Sequence, residues 1–317
     1  LFNKMRKPKK ILIENYDYLL PDDRIAKYPL ADRDASKILV YRPGTGDETT
    51  GQKQFSQVQG LSEEREDSKG AGSISQKQFF QVPELLEKSD RLYFNATRVV
   101  QARLVFRKET GARIEIFCLE PHMPPDHQLA FSSIQPVEFI CLVGNAKKWK
   151  EGKLTKVLGA REKVTAEISG RQDDKFIVRF EWNDPTTSFG EILERSGSTP
   201  IPPYLNREAD KRDATTYQTV YARQNGSVAA PTAGLHFTKK VLGALDQKGV
   251  QRHELILHVG AGTFIPVKEK NAVNHQMHAE RVTVDRPLLK SLLSGDRAIA
   301  VGTTTTRSLE SIYWLGV

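Results

Sequence analysis

Residues 238–259, TKKVLGALDQKGVQRHELILHV, decide how the chain folds. The first half reads as a helix, with Thr238 as its N-cap and Gly249 as its stop. The second half runs into an apolar strand, ELILHV (254–259). The same rhythm returns downstream. RPLLKSLLSG (286–295) is a helix, RAIAV (297–301) a strand, and GTTTTRSLESIYW (302–314) turns into a helix again. Helix, apolar strand, loop, helix is the pattern of a parallel α/β unit. Ligands in such sheets sit beyond the carboxyl ends of the strands, here HVGAGTF (258–264) and VGTTTTR (301–307).

Upstream the period changes to two. From Arg91 to Trp182 short strands follow one another without a helix between them. RIEIFCLE (113–120) puts Ile114, Ile116 and Cys118 on one face. KVTAEISGRQDDKFIVRFEW (163–182) reads as a hairpin: Val164, Ala166 and Ile168 alternate, a Gly-containing turn follows, and Phe176, Val178 and Phe180 alternate. FICLVGNAKKWKEGKL (139–154) supplies another strand and a turn. TSFGEILERSG (187–197) is a short helix that stops at Gly197. The expected fold is therefore α/β plus β. Residues 1–99 and 184–317 form an α/β domain, and a smaller β-barrel domain, 100–183, is inserted in it. A length of 317 residues agrees with two cores. Residues 44–75, rich in Gly, Ser, Gln and Glu, read as a flexible insertion. It carries QKQFSQV (52–58), an echo of QKQFFQV (76–82), and only the second copy runs into a patterned segment.

Composition narrows the function. The net charge is +8, which a phosphate-rich partner or a solvated basic surface would explain. The two cysteines, Cys118 and Cys141, offer neither metal spacing nor a disulfide framework, which suits a reducing cytoplasm. No apolar run approaches a membrane span and no signal-peptide core is present, so a cytoplasmic location is expected.

Five stretches carry chemistry. In HVGAGTF, Gly260 and Gly262 allow backbone amides close to an anion, beside Thr263; a plain strand-end turn is the alternative. VGTTTTR places Thr304 and Thr305 at a helix start, with Arg307 as a fork for a carboxylate or phosphate. One capping threonine is the plainer reading, although four in a row exceed that need. NHQMHAE (274–280) brings His275, His278 and Glu280 together, with His258 within reach of the argument. Zinc accepts such ligands, but HExxH is absent, and an acid–base or hydrogen-bonding role suits imidazole better. No metal is expected. IPPYLNREADKRDATTYQTVYA (201–222) offers Tyr204, Arg207, Tyr217 and Tyr221, either for an unstacked base or to pin the two domains together. VAAPTAGLHFT (228–238) is a smooth loop around one imidazole, His236. Pro231 and Gly234 set its path, Thr232 edges it, and its small side chains invite a ligand.

Taken in order, DRIAKYPLADRDASKIL (23–39), FNATRVVQARL (94–104), PPYLNR (202–207), TTYQTVYA (215–222), GSVAAPTAGLHFT (226–238), LHVGAGTFIPV (257–267), HQMHAE (275–280) and AVGTTTTRSLES (300–311) closely resemble the S-adenosylmethionine:tRNA ribosyltransferase-isomerases. The resemblance implies an α/β domain with a smaller β-barrel. It implies a ribosyl transfer from S-adenosylmethionine, which is consumed as a substrate, so that no cofactor or metal is needed. The acceptor would be 7-aminomethyl-7-deazaguanine at the wobble position of a tRNA. Epoxyqueuosine would form, with adenine and methionine leaving. The block FNATRV points to Asn95, Thr97 and Arg98, but Ala96 stands where the family carries a polar Asn or Asp. The family pattern also continues into a C-terminal block that this sequence does not contain.

That reaction needs a base for the ribose 5′ proton, and His236 is our candidate from its loop alone. A neutral histidine tying the loop to a backbone carbonyl is the competing role. His258, His275 and His278 follow as bases. A monomer is expected. The rival functions are a non-catalytic basic RNA-binding protein and a methyltransferase with the same donor, whose usual glycine-rich first loop is not visible.

Overall fold

The computed structural model describes residues 10–43, 72–159, 161–260, 267–275, 277 and 279–316. In chain order, β1 (Lys37–Arg42) and β2 (Ser73–Gln78) pair antiparallel, and α1 (Val82–Leu85) leads into β3 (Arg91–Asn95) and β4 (Thr97–Val99). Next come β5 (Arg103–Arg107), β6 (Arg113–Met123), α2 (His127–Ser132), β7 (Val137–Gly144), β8 (Leu154–Val157), β9 (Lys163–Gln172) and β10 (Lys175–Trp182). The remainder is α3 (Phe189–Ser196), β11 (Gly197–Ser198), α4 (Asp213–Thr216), β12 (Gln224–Ser227), α5 (Lys239–Lys248), β13 (Gln251–Leu257), β14 (Val282–Thr283), α6 (Arg286–Leu292), β15 (Ala298–Ala300) and α7 (Thr303–Gly316).

β3 is flanked on both sides by parallel strands, β13 and β15, and β14 adds an antiparallel edge to β13. The sheet is covered on both faces, which is why β3 is buried almost throughout. Leu92 and Phe94 point to one side, where Val241, Leu242 and Leu245 of α5 meet Phe79 and Phe237. Tyr93 points to the other, with Leu255, Leu257 and Leu288 of α6. The helix read from TKKVLGALDQKG forms as expected. Thr238 Oγ1 accepts from Val241 N at 3.2 Å, and Gly249 closes the helix at φ +83°.

The period-two region folds into a seven-stranded antiparallel sheet, ordered β11-β5-β6-β7-β10-β9-β8. It curls until β8 comes alongside β5, so the expected barrel is a strongly bent sheet. Ile114, Ile116 and Cys118 share its core with Phe139, Val178, Phe180 and Phe189. Three sequence readings need correction. The hairpin turn is not at Gly170 but at Asp173-Asp174, where Asp173 adopts φ +53°; Gly170 lies within β9, beside a register shift opposite Ile177. The all-strand stretch contains one helix, α2, capped by Asp126 Oδ1 on Leu129 N at 3.0 Å. Residues 73–75 do not belong to the insertion but to β2, in register with Val40–Arg42. The remainder of that insertion, including QKQFSQV, lies outside the described residues.

Arg42 pairs with Ser73, so the hairpin can close without the segment between them. Replacing residues 43–72 by Asn-Gly supplies the two-residue turn such a register favours. The shortened protein should melt within a few degrees of the parent, and a clear loss of melting temperature would show that the segment packs.

Candidate functional site

β3, β13 and β15 run parallel, so their carboxyl ends open on one side of the sheet. A buried polar network fixes that edge. Asn95 Oδ1 accepts from Leu257 N (3.1 Å) and Thr97 N (3.2 Å), while its Nδ2 donates to Leu257 O (3.0 Å). Thr97 Oγ1 and Ser227 Oγ lie 2.7 Å apart, and Ser227 Oγ also accepts from Val259 N at 3.1 Å. All three side chains are fully buried. Asn95 and Thr97, expected to bind substrate, therefore bind the backbone of β13 instead. Arg98 points the other way, exposed and 3.9 Å from Glu194 of α3.

The loop around His236 folds as a 3-10 turn, Thr232–His236, with Gly234 N donating to Pro231 O at 2.8 Å. Phe237 anchors it by edge-on contacts with Phe79 (4.8 Å) and Phe94 (5.2 Å). His236 is half-buried. Its Nδ1 lies 3.3 Å from Arg33 O. A carbonyl can only accept, so Nδ1 carries the proton and Nε2 keeps its lone pair. The carbonyl tie weighed from sequence thus exists, and it leaves the second nitrogen basic. Gly234 serves a different end from the one expected. A Cβ there would lie 1.9 Å from the Tyr221 hydroxyl, so the space is taken by the protein rather than offered to a ligand.

The loop touches the start of α7. A Cβ on Gly302, at φ +91°, would meet Ala233 at 3.4 Å. The helix opens on this glycine rather than on a capping threonine, and Thr306 Oγ1 turns back to Gly302 O at 3.1 Å. Thr304 lies in the first turn, and Thr305 is fully buried with its hydroxyl unpartnered. Arg307 Nη2 donates to Glu280 Oε2 at 2.6 Å, and Gly260 N donates to Glu280 Oε1 at 2.9 Å. One carboxylate thus joins the ends of β13 and α7, the two places read as anion sites. Glu280 entered the sequence reading only as a neighbour of two histidines, and nothing in HAE shows that it would turn inward.

His258 sits at the end of β13, its Nδ1 3.1 Å from Gly226 O. Its ring stacks on His127 of α2 at 4.0 Å and 8°. Gly226 has no room for a side chain, since a Cβ would fall 2.2 Å from His258 Nδ1. Burial lowers the pKa of both imidazoles, that of His127 to about 3, and Arg281 adds to the effect while Asp126 opposes it. Sequence offered no signal for His127, because its partner is 131 positions away. His275 ends a 3-10 turn through its amide and makes no printed contact with the other histidines. Gly262, Thr263 and His278 lie outside the described residues. Among the described residues no cluster of metal-binding side chains forms.

The Pro-Pro stretch is mostly structural. Arg207 makes two 2.7 Å bonds to buried Asp213, donates to Lys27 O at 2.8 Å and lies 4.3 Å over the Tyr28 ring. Tyr221 belongs to the α5 core, in contact with Phe94. Tyr217 is half-buried, and burial pushes its phenol up to about 12. Only Tyr204 stands exposed. The expectation of an aromatic cradle beside Arg207 gives way to a brace between this loop and residues 22–28.

The stacked histidines set a pH dependence. Their folded pKa values lie below the ordinary value near 6.5. Their contribution to stability is therefore present above about pH 6.5 and is lost as pH falls towards 3. His127→Phe keeps a ring in place without the proton. Its urea midpoint should fall less between pH 7 and pH 5 than that of the parent, and an equal fall would remove His127 from the account.

Comparison with known proteins completes the picture. A family model described as queuosine biosynthesis protein matches residues 65–315. The S-adenosylmethionine:tRNA ribosyltransferase-isomerase of Trichlorobacter lovleyi is 36% identical over 307 residues, covering 95% of this chain and 76% of that protein. Its counterpart from Aromatoleum aromaticum is 38% identical over 304 residues, covering 95% and 75%. A crystal structure of the S-adenosylmethionine tRNA ribosyltransferase from Thermotoga maritima is 26% identical and covers 94% of this chain and 73% of that one, with a TM-score of 0.36. The rival RNA-binding and methyltransferase readings have no counterpart among these relatives. On the family model and this identity over nearly its whole length, the chain belongs to the S-adenosylmethionine:tRNA ribosyltransferase-isomerase family of queuosine biosynthesis proteins.

Proposed function

We propose that the protein moves and isomerises the ribosyl part of S-adenosylmethionine onto 7-aminomethyl-7-deazaguanine at the wobble position of a tRNA. Epoxyqueuosine-tRNA forms, and adenine and methionine leave. The reaction takes place in the cytoplasm, with the donor as a consumed substrate and no cofactor. The observation that carries the reading is the meeting of three family blocks, around His236, Gly260 and Arg307, at the carboxyl ends of one parallel sheet.

His236 is the base. Nδ1 is held by Arg33 O, so Nε2 is free to take the proton from the ribose 5′ carbon, which the adjacent sulfonium acidifies. Adenine is then expelled, the amine of the deazaguanine attacks, and methionine departs as the epoxide closes. The start of α7 receives the carboxylate of the donor, where first-turn amides have no helical partner and Arg307 is at hand. The excess positive charge serves the tRNA. Among the described residues no helix is long and apolar enough to cross a membrane.

Incubation with S-adenosylmethionine and precursor-bearing tRNA should release adenine and methionine; S-adenosylhomocysteine as product would overturn the assignment. His236→Gln should keep both ligands while adenine release falls by about 10²–10⁴-fold. A variant with near-parental turnover would place the base elsewhere. Affinity for tRNA should fall steeply with salt and affinity for the donor only slightly. Equal slopes would dissociate the basic excess from RNA.

A further inference from the structure

The Glu280 side chain is 3% exposed, whereas that of Arg307 is 35% exposed. The carboxylate is thus locked in from behind, by Gly260 N on one oxygen, and meets a half-open guanidinium on the other. Such a pair has a fixed direction, positive at α7 and negative towards β13. Among the described residues Arg307 makes no other side-chain bond, so the remainder of its five-donor fork is unused. A carboxylate oxygen that accepts one hydrogen bond also retains a second lone pair.

An α-amino acid head group carries the same two charges on a single carbon. Laid head to tail beside the pair, its carboxylate meets Arg307 and its ammonium meets Glu280. Four charges then alternate around a square, and the Arg307–Glu280 contact need not break. A simple anion would satisfy only Arg307 and would be repelled by Glu280. A simple cation would have the reverse difficulty. The pair therefore selects a zwitterion over either charge alone.

We propose that Arg307 and Glu280 form a binding site for an α-amino acid zwitterion, and that Glu280 receives the ammonium of the donor's methionyl end. This rests on the reading of S-adenosylmethionine as donor and extends it. The carboxylate has a place at α7 in that reading, and the ammonium now has one as well. After turnover the same site holds product methionine. Glu280 is a specificity residue here, since it touches the end of the donor remote from the reacting carbons.

The test measures binding of S-adenosylmethionine by calorimetry and, by competition against it, of L-methionine, 4-(methylthio)butanoate without the amine, and 3-(methylthio)propylamine without the carboxylate. The parent protein should prefer L-methionine to both truncated molecules. Glu280→Gln keeps the shape and an acceptor for Gly260 N. It should weaken S-adenosylmethionine and L-methionine by roughly tenfold or more, and abolish the preference over the butanoate alone. Arg307→Gln should abolish the preference over the propylamine alone. Unchanged donor affinity in Glu280→Gln, or an equal loss for all four molecules, would overturn the site and leave the pair as a brace between loops. So would a parent protein that fails to distinguish L-methionine from its truncated forms. Adenine release by the parent protein tests the broader reading separately. If adenine is released but Glu280→Gln binds normally, only the head-group site falls. If the parent protein does not bind S-adenosylmethionine, both fall.

Discussion

The bonds of Asn95 to both the N–H and the C=O of Leu257 are the constraint on which the site depends. β3 ends at Asn95 and β13 ends at Leu257, so the strands stop pairing through their backbones at this level. A primary amide presents the same donor and acceptor as a peptide group, and Asn95 extends the ladder by one rung with its side chain. Thr97 and Ser227 continue it to Val259. An unmet buried amide or carbonyl costs about 1–3 kcal/mol. The network therefore sets where the chain leaves β13, and so where Gly260 meets Glu280. Ala96 fits this arrangement: it is buried, its N donates to Leu255 O, and its carbonyl accepts from Arg223 N. A polar side chain is not required there for the strands to join.

Ion pairs of similar chemistry have different roles according to burial. Arg207–Asp213 is almost wholly buried and doubly bonded, and Asp213 also accepts from Asp210 N. Nothing is left for a ligand, and removing either partner would strand a charge. Asp90 is equally enclosed, its carboxyl held below the ordinary carboxylate range by the Arg297 guanidinium, and it binds the Glu87 amide at the opposite, amino-terminal edge of the sheet. Arg307–Glu280 differs in being half-open and in lying at the carboxyl edge. Depth and position, more than residue type, separate a brace from a site.

The bent antiparallel sheet meets the parallel one through α2. The capping of this helix by Asp126 leaves His127 facing His258, and Asp126 itself lies 3.7 Å from Arg281. Arg281 is the neighbour of Glu280 in sequence. The joint between the two sheets and the donor end of the site therefore share one short segment of chain. This arrangement couples their geometry without any long path between them.

Much of this was legible in the sequence, and for a local reason. The helix from 239 to 248 needs only its own cap, its own stop and an apolar stripe, all within a dozen residues. The alternation of Ile114, Ile116 and Cys118 likewise names a buried face without reference to a partner. The family blocks marked which segments matter. Sequence alone did not determine the use of each polar group. Asn95 looks like a ligand-binding side chain until Leu257 is placed beside it, and Gly234 looks like open space until Tyr221 fills it. Gly170 looks like a turn because the register that leaves it inside β9 depends on Ile177 across the hairpin. Glu280 and Arg307 are 27 positions apart, and Asn95 and Leu257 162 apart. A hydrogen bond is short and directional, so whether a polar side chain binds the protein or remains for a substrate is decided only when tertiary structure brings its partner to within 3 Å.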